Sequence, residues 1–367
     1  MNPPPTGGSI ISTISGPLFV KQLVHGLVRK SEDYVTFLNT FVLVIDTCII
    51  GDFVATLPAL RLFIEKQGQD VDLVVIPPVK SLAKAIRGVK RVFTAKSIYQ
   101  RSYENGENRE TMPKNYSHVM VLRISPEAYN VLNNIKYSNI EIYDIPYFKY
   151  CGHLIKNTLL KKEVKQWSEI NFEIIGIKKT VKIIIFDDIF RLSESDYVRV
   201  REMPEMKGSG KKIIIHTGSG WSVKLWANEK WVELLRKINE QGDFKFIFVG
   251  RGDLEEKSFD YIQNNLDFKI FSFINRVDLR TILLIMRISD YFIGIDSGPR
   301  NLAHLADLRS ISLLGPAPKN FMPLNTKDIV IDKFTCRCKS LYYLHRVSAM
   351  QNISVEEVLA GFRKLSI

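Results

Sequence analysis

Twice along this chain a short apolar run ends in a turn, gives way to a helical pattern and is followed by another apolar run. The first series opens with FVLVID at Phe41 and continues through a helix over 53–67 to VDLVVI and HVMVLRI. The second opens with KKIIIH, then a glycine-rich loop, a helix over 228–241 and the strands FKFIFVG, KIFSF, YFIGID and SISLLG. Short continuous apolar runs separated by helices are the pattern of a parallel sheet with helices on its faces. Two such series in 367 residues, longer than most single domains, imply two α/β units. In sheets of this kind ligands sit beyond the carboxyl ends of the strands, so the strand ends are where chemistry is expected.

Composition narrows the function classes. A hydrophobic share of 46% with 25% charged residues is that of a globular protein and excludes disorder or a repetitive fibre. No apolar run reaches the roughly 18 to 20 residues that cross a bilayer, and MNPPPTGGSI lacks the basic and apolar regions of a secretory leader. A cytoplasmic protein is expected. The formal charge of +12 favours phosphate-bearing partners. Neither zinc-finger spacing nor an aromatic RNA-binding signature is present, so a nucleotide sugar and an anionic lipid lead and nucleic acid ranks last. Cys48, Cys151, Cys336 and Cys338 read as reduced structural thiols; the single C-x-C pair has no second pair at zinc-ligand spacing. No metal site and no cofactor are expected.

Residues 1–40 form an extension of different character. Within GPLFVKQLVHGLVRK, Leu18, Val20, Leu23, Val24 and Leu27 share one helical face, with basic residues elsewhere. Packing on the domain behind it is the preferred use of that face; a membrane interface is the alternative. The expected organisation is a first Rossmann-like domain over 41–205, a second over 206–350, and a closing helix over 351–367. Asn228 suits a helix N-cap and Gly242 the position just past its end; Ser354 and Glu357 have the spacing of a capping box.

Three constellations lie at strand ends. Gly51 and Asp52 follow FVLVID and open a helix, where the positive end of the helix dipole favours a carboxylate. His216, Thr217, Gly218, Ser219 and Gly220 follow KKIIIH and precede Lys224. Small residues there admit a phosphate to backbone N–H groups, and the lysine balances its charge. Asp296, Ser297, Gly298 and Pro299 follow YFIGI and precede a helix expected from about Arg300 to Asp307, an arrangement able to hold sugar hydroxyls and diphosphate oxygens. Asp253, in GRGD after a further strand, is placed to accept from a ribose. Each has a plainer use as a turn or a helix cap.

In order and spacing, GDFVATLPALR, HTGSGWSVKLWANEKWVELL and FIGIDSGPRNLAHLADLRSISLLGPAP resemble glycosyltransferase family nine, the lipopolysaccharide heptosyltransferases. The resemblance runs from about Phe41 to Leu365. It implies a GT-B fold, two Rossmann-like domains facing each other across a cleft, and an inverting transferase without an obligatory metal. It makes Asp52 the general base, with Gly218, Ser219, Lys224, Asp296, Ser297 and Gly298 on the donor. It further implies ADP-heptose as the leading donor, a lipopolysaccharide core or related anionic glycolipid as acceptor, and work at the inner face of the inner membrane. One departure stands out: where the family has histidine five residues after the aspartate of DSG, this chain has Asn301, which stays a donor-binding candidate because it can donate a hydrogen bond to a phosphate, although it carries no charge. His216 matches the family, although a histidine ending a buried strand is commonly satisfied by backbone. A same-fold transferase using another nucleotide sugar, or a non-catalytic nucleotide- or glycan-binding relative, is the alternative.

Overall fold

The computed structural model describes residues 41–95, 112–123, 125–142, 186–315, 327–333 and 349–366. The expected helix before residue 40, and Cys151, Cys336 and Cys338, lie outside them. The described residues form two parallel sheets clad in helices, as the alternation requires. The first runs β1 (Val42–Asp46), α1 (Ile50–Gln67), β2 (Val71–Val75), α2 (Lys80–Ala83), β3 (Val89–Thr94), β4 (Asn115–Val121), α3 (Pro126–Asn133) and β5 (Lys136–Ile142). Its strand order is β3-β2-β1-β4-β5, and all pairings are parallel. Every residue of β1 and β2 is buried, which explains why both read as unbroken apolar runs.

After α4 (Phe186–Ile189) and α5 (Glu194–Arg201), the second unit follows. It comprises β6 (Lys211–His216), α6 (Asn228–Asn239), β7 (Phe244–Phe248), α7 (Asp253–Asn264), β8 (Phe271–Ser272), α8 (Leu279–Arg287), β9 (Tyr291–Ile295), α9 (Gly298–Leu305), β10 (Arg309–Leu314), β11 (Asp328–Asp332) and α10 (Val355–Ser366). Its order is β11-β10-β9-β6-β7-β8, again wholly parallel. Phe190 bridges back to Ile86 of the first unit, whereas α5 packs on α8, with Arg280 and Asp196 paired at 2.7 Å.

The units share a core. One apolar cluster takes in Phe53, Leu57 and Leu60 of α1, Leu283 to Met286 of α8, and Leu302 and Ala303 of α9. α1 lies directly on α9. The apolar face of α1 therefore serves both domains, and burial of this kind, roughly 25 cal/mol per Å² of apolar surface, fixes one domain against the other.

Three strands were not expected: β3, β5 and β11. The cap of α6 is Ala227, not Asn228, because the Asn228 side chain turns aside to accept from Ser258 Oγ at 2.7 Å. The capping box of α10 forms: Ser354 N–H donates to Glu357 Oε2 at 3.1 Å and Glu357 N–H to Ser354 Oγ at 3.3 Å. α9 starts at Gly298, two residues earlier than expected, with Pro299 in its first turn where a missing N–H costs nothing.

Candidate active site

A parallel sheet opens a crevice where its strand order reverses. In the first sheet that point lies between β1 and β4. The β1 exit leads to Asp52 in the first turn of α1, and Arg123 follows β4. In the second sheet the reversal lies between β6 and β9. The β6 exit leads to Lys224, on a 3₁₀ turn over Ser222–Lys224, and the β9 exit to Asp296. The packing of α1 on α9 sets the helix that leaves the first crevice against the helix that leaves the second, with Gly51 close to Gly298.

The result is a cluster of mixed charge. Lys224 Nζ donates to Asp296 Oδ2 at 2.7 Å, with both side chains largely shielded. Arg123 Nη1 lies 3.8 Å from Asp52 Oδ2. Desolvation by surrounding protein raises the Asp52 pKa; Arg123 and Lys224 pull it down, and Asp46 and Asp296 push it up. Asp52 thus feels groups from both domains. A carboxylate raised in this way is a better proton acceptor than one in water.

Behind Asp52 lies a second carboxylate, Asp46, fully buried at the end of β1. It accepts from Cys48 N–H at 3.1 Å and from Thr56 Oγ1 at 2.7 Å, tying the β1 exit to α1. Burial raises its pKa as well. These bonds fix the short loop that delivers Asp52.

The residues expected on the donor fall into three groups. Ser297 precedes α9, but its hydroxyl donates to the Ile295 carbonyl at 3.0 Å and does not cap the helix. The start of α9, at Gly298, therefore has no side-chain cap, and neither has that of α1. First-turn N–H groups left in this way are the donors that bind anions at helix starts. Ser219 Oγ accepts from Trp221 N–H at 3.2 Å, shaping the loop before Lys224. Asp253 stands apart, exposed at the start of α7 beyond β7.

Two expected residues make unexpected contacts. Asn301 Nδ2 donates to the carbonyl of Gly51 at 3.0 Å, so its amide ties the two domains together beside Asp52. Gly218 lies under the side chain of Glu255: a Cβ at 218 would fall 2.2 Å from Glu255 Oε1, and one at Gly250 would fall 2.9 Å from Glu255 Cγ. Glycine at 218 thus admits a carboxyl group, whose pKa burial raises. His216 is buried, with Nδ1 2.8 Å from the Val249 carbonyl, and burial lowers its pKa, so it stays neutral near pH 7 as a structural group. His304 lies beside Asp328, with Nε2 3.1 Å from Oδ2, in a buried group that includes Arg300 at 2.6 Å from the same oxygen.

Sequence reasoning missed Arg123, Asp46 and Glu255. Asp46 carried a signal, an acid closing the apolar run FVLVID. Arg123 carried one only once β4 is known to neighbour β1.

Two parallel α/β sheets with their crevices turned toward one charged cluster make up the GT-B architecture. Residues 156–348, more than half of the chain, match the model of glycosyltransferase family 9 (heptosyltransferase). The chain belongs to that family. It is 26% identical over 151 residues to lipopolysaccharide heptosyltransferase 1 of Campylobacter coli, a match spanning 39% of this chain and 44%, less than half, of that relative. Among solved structures, ADP-heptose lps heptosyltransferase II of E. coli superposes with a TM-score of 0.66 at 14% identity, over 89% of this chain and 98% of the other. E. coli heptosyltransferase WaaC with ADP superposes at 0.63 and 15% identity, over 89% of this chain and 100% of the other. At these identities the structural likeness speaks for the fold.

Proposed function

We propose that the chain transfers a heptose from ADP-heptose to a lipopolysaccharide-type acceptor, with inversion at the anomeric carbon. The observation that carries this reading is that the start of α1, which bears Asp52, abuts the start of α9, which follows the Lys224–Asp296 pair. An acceptor hydroxyl attacks the anomeric carbon while Asp52 takes its proton. The bond from that carbon to the β-phosphate oxygen breaks on the opposite side, and ADP leaves with the electron pair. Lys224 and the first-turn N–H groups of α9 stabilise the charge that grows on the departing diphosphate. Asp296, Ser297 and Gly298 hold the donor sugar and its phosphates, Gly218 and Ser219 shape the loop beside them, and Asp253 reaches the ribose.

In this reading residues 41–205 form the acceptor side and 206–350, closed by the helix over 351–367, the donor side. The net charge of +12 suits an anionic glycolipid and a peripheral contact with the inner membrane. No helix among the described residues is long and apolar enough to cross a bilayer. Loss of vesicle binding as salt rises is the expected signature of that contact; salt-independent binding argues against it.

Asn301 favours a second reading, a same-fold transferase using a different nucleotide sugar, because an amide bonded to Gly51 brings no positive charge to a phosphate where the family has histidine. Calorimetry against ADP-, UDP-, GDP- and CMP-linked sugars separates the two. Selective binding of ADP-heptose supports the first, and selectivity for another nucleotide replaces it with the second.

A further inference from the structure

The chain uses its described tryptophans in two opposite ways. Trp226 and Trp231 are buried in the second domain, edge to face with ring centroids 5.0 Å apart. Trp221 is 52% exposed, on the loop between Ser219 and Lys224. An indole in that position contributes little to the core, yet the backbone that carries it is held on both sides. Its backbone N–H is held by Ser219 Oγ, and its carbonyl accepts from Lys224 N–H at 2.9 Å. The Lys224 ammonium lies 5.3 Å from its ring centroid and is itself fixed by Asp296. On the other domain Ile49, 61% exposed, immediately precedes α1, three residues before Asp52. On each domain, then, an exposed apolar group stands three residues before a member of the charged cluster, Trp221 before Lys224 and Ile49 before Asp52.

We propose that Trp221 is a stacking platform for a sugar ring of the acceptor, with Ile49 completing an apolar lip at the mouth of the site. The proposal rests on the glycosyl-transfer reading above and adds the subsite that orients the acceptor. Pyranose rings present patches of C–H bonds on their faces. Such patches pack on an indole face, while the ring hydroxyls stay in water or meet nearby charged groups. The diphosphate belongs inward, against Lys224 and the start of α9. The outer, solvent-facing indole and the isoleucine beside Asp52 are left for the molecule whose hydroxyl Asp52 deprotonates. Stacking there holds that hydroxyl over the anomeric carbon, which is how a contact remote from the chemistry raises the rate.

The test uses heptose-free lipopolysaccharide, de-O-acylated to keep it monomeric, with ADP-heptose as donor. Trp221→Ala should raise the acceptor KM about tenfold and leave the donor KM and the Kd for ADP unchanged. Trp221→Tyr, which keeps an aromatic face, should stay within about threefold of the parent. Titrating the same acceptor without donor should change the tryptophan emission of the parent, and Trp221→Phe should lose that change. An unchanged acceptor KM in Trp221→Ala overturns the proposal, as does an emission change that persists in Trp221→Phe. Weakened ADP binding with an unchanged acceptor KM overturns it in favour of a donor contact. If the parent transfers heptose and Trp221→Ala matches it, the platform falls and the transfer reading stands. If the parent binds the acceptor through a Trp221-dependent signal but transfers nothing, the reading falls and the platform stands. Neither binding nor transfer by the parent overturns both.

Discussion

The two halves of the site are built from different materials. In the proposed reaction the chemistry rests, on the first domain, on side chains: Asp52 in the opening turn of α1, Arg123 beside it, and Asp46 buried behind. On the second it rests largely on backbone: an uncapped helix start at Gly298 and a loop of small residues, with Lys224 and Asp296 neutralising each other. The family model matches 156–348, which contains all of the residues proposed for the donor and omits Asp52. The likeness of fold extends over 89% of the chain. A backbone site for a diphosphate demands glycine, serine and a helix start in fixed order, and that leaves a sequence signature. A carboxylate at a strand exit demands only one acid and a turn. The difference teaches that a diphosphate site built on main chain constrains a longer stretch of sequence than a single carboxylate does, although both are legible at strand ends.

The largest effect should come from the side-chain half. Asp52→Asn is expected to lower kcat by ~10²–10⁴ while the Kd for ADP stays at the parent value. Near-parental turnover would remove Asp52 as the base. The raised pKa also has a stability consequence. A carboxyl whose folded pKa lies above its unfolded value favours the fold while protonated and loses that contribution as pH rises through the folded pKa. Any difference in melting temperature between Asp52→Asn and the parent should therefore shrink as pH falls below the folded pKa, where Asp52 is protonated too.

Lys224→Ala should come next, weakening ADP binding by roughly 10- to 100-fold, because it removes a charge-assisted contact and leaves Asp296 unpaired. Equal affinity by calorimetry would detach Lys224 from the donor. A shift in pH profile comes third. Transfer needs ionised Asp52, so the acid limb of kcat should lie above the ordinary carboxylate value of 3.8. Arg123 favours the ionised form, so Arg123→Gln should move that limb to higher pH. A limb that moves down, or stays put, breaks the pairing of Arg123 with the base.

The smallest effect tests the seam between the halves. Asn301→Ala deletes one neutral hydrogen bond to Gly51, and kcat should fall by roughly 2- to 12-fold with little change in donor KM. A large rise in donor KM with kcat intact would instead make Asn301 a donor ligand, as the sequence suggested.

What was legible in the sequence follows burial. The buried strands β1, β2, β6, β7, β9 and β10 announce themselves as apolar runs. The strands missed, β3, β5 and β11, are sheet edges, where half-exposed positions admit polar residues and dissolve the run, as in KYSNIEI. In the site, Asp52, Lys224 and Asp296 were legible because each follows a buried strand and a turn. Arg123 was not, since its meaning depends on β4 lying next to β1, a pairing between segments 76 residues apart in sequence, as in Val42 with His118. Glu255 was hidden for a related reason: its side chain reaches back from α7 to a loop left behind one strand earlier. The Asn301 contact with Gly51 joins residues on different domains, which no local pattern records.

The abutting starts of α1 and α9 carry a consequence for how sequences of this kind can drift. A Cβ at Gly298 would fall 2.8 Å from Ile50 Cγ2 and 3.0 Å from Ile50 Cβ, and one at Gly51 would fall 3.2 Å from Asn301 Nδ2. Positions 50, 51, 298 and 301 are then one mutational unit spread over two domains. A larger residue at 298 is tolerable only where 50 shrinks, and a side chain at 51 only where 301 withdraws. Among relatives these four sites should vary in concert, and exchanging one domain without the other should fail first at this seam.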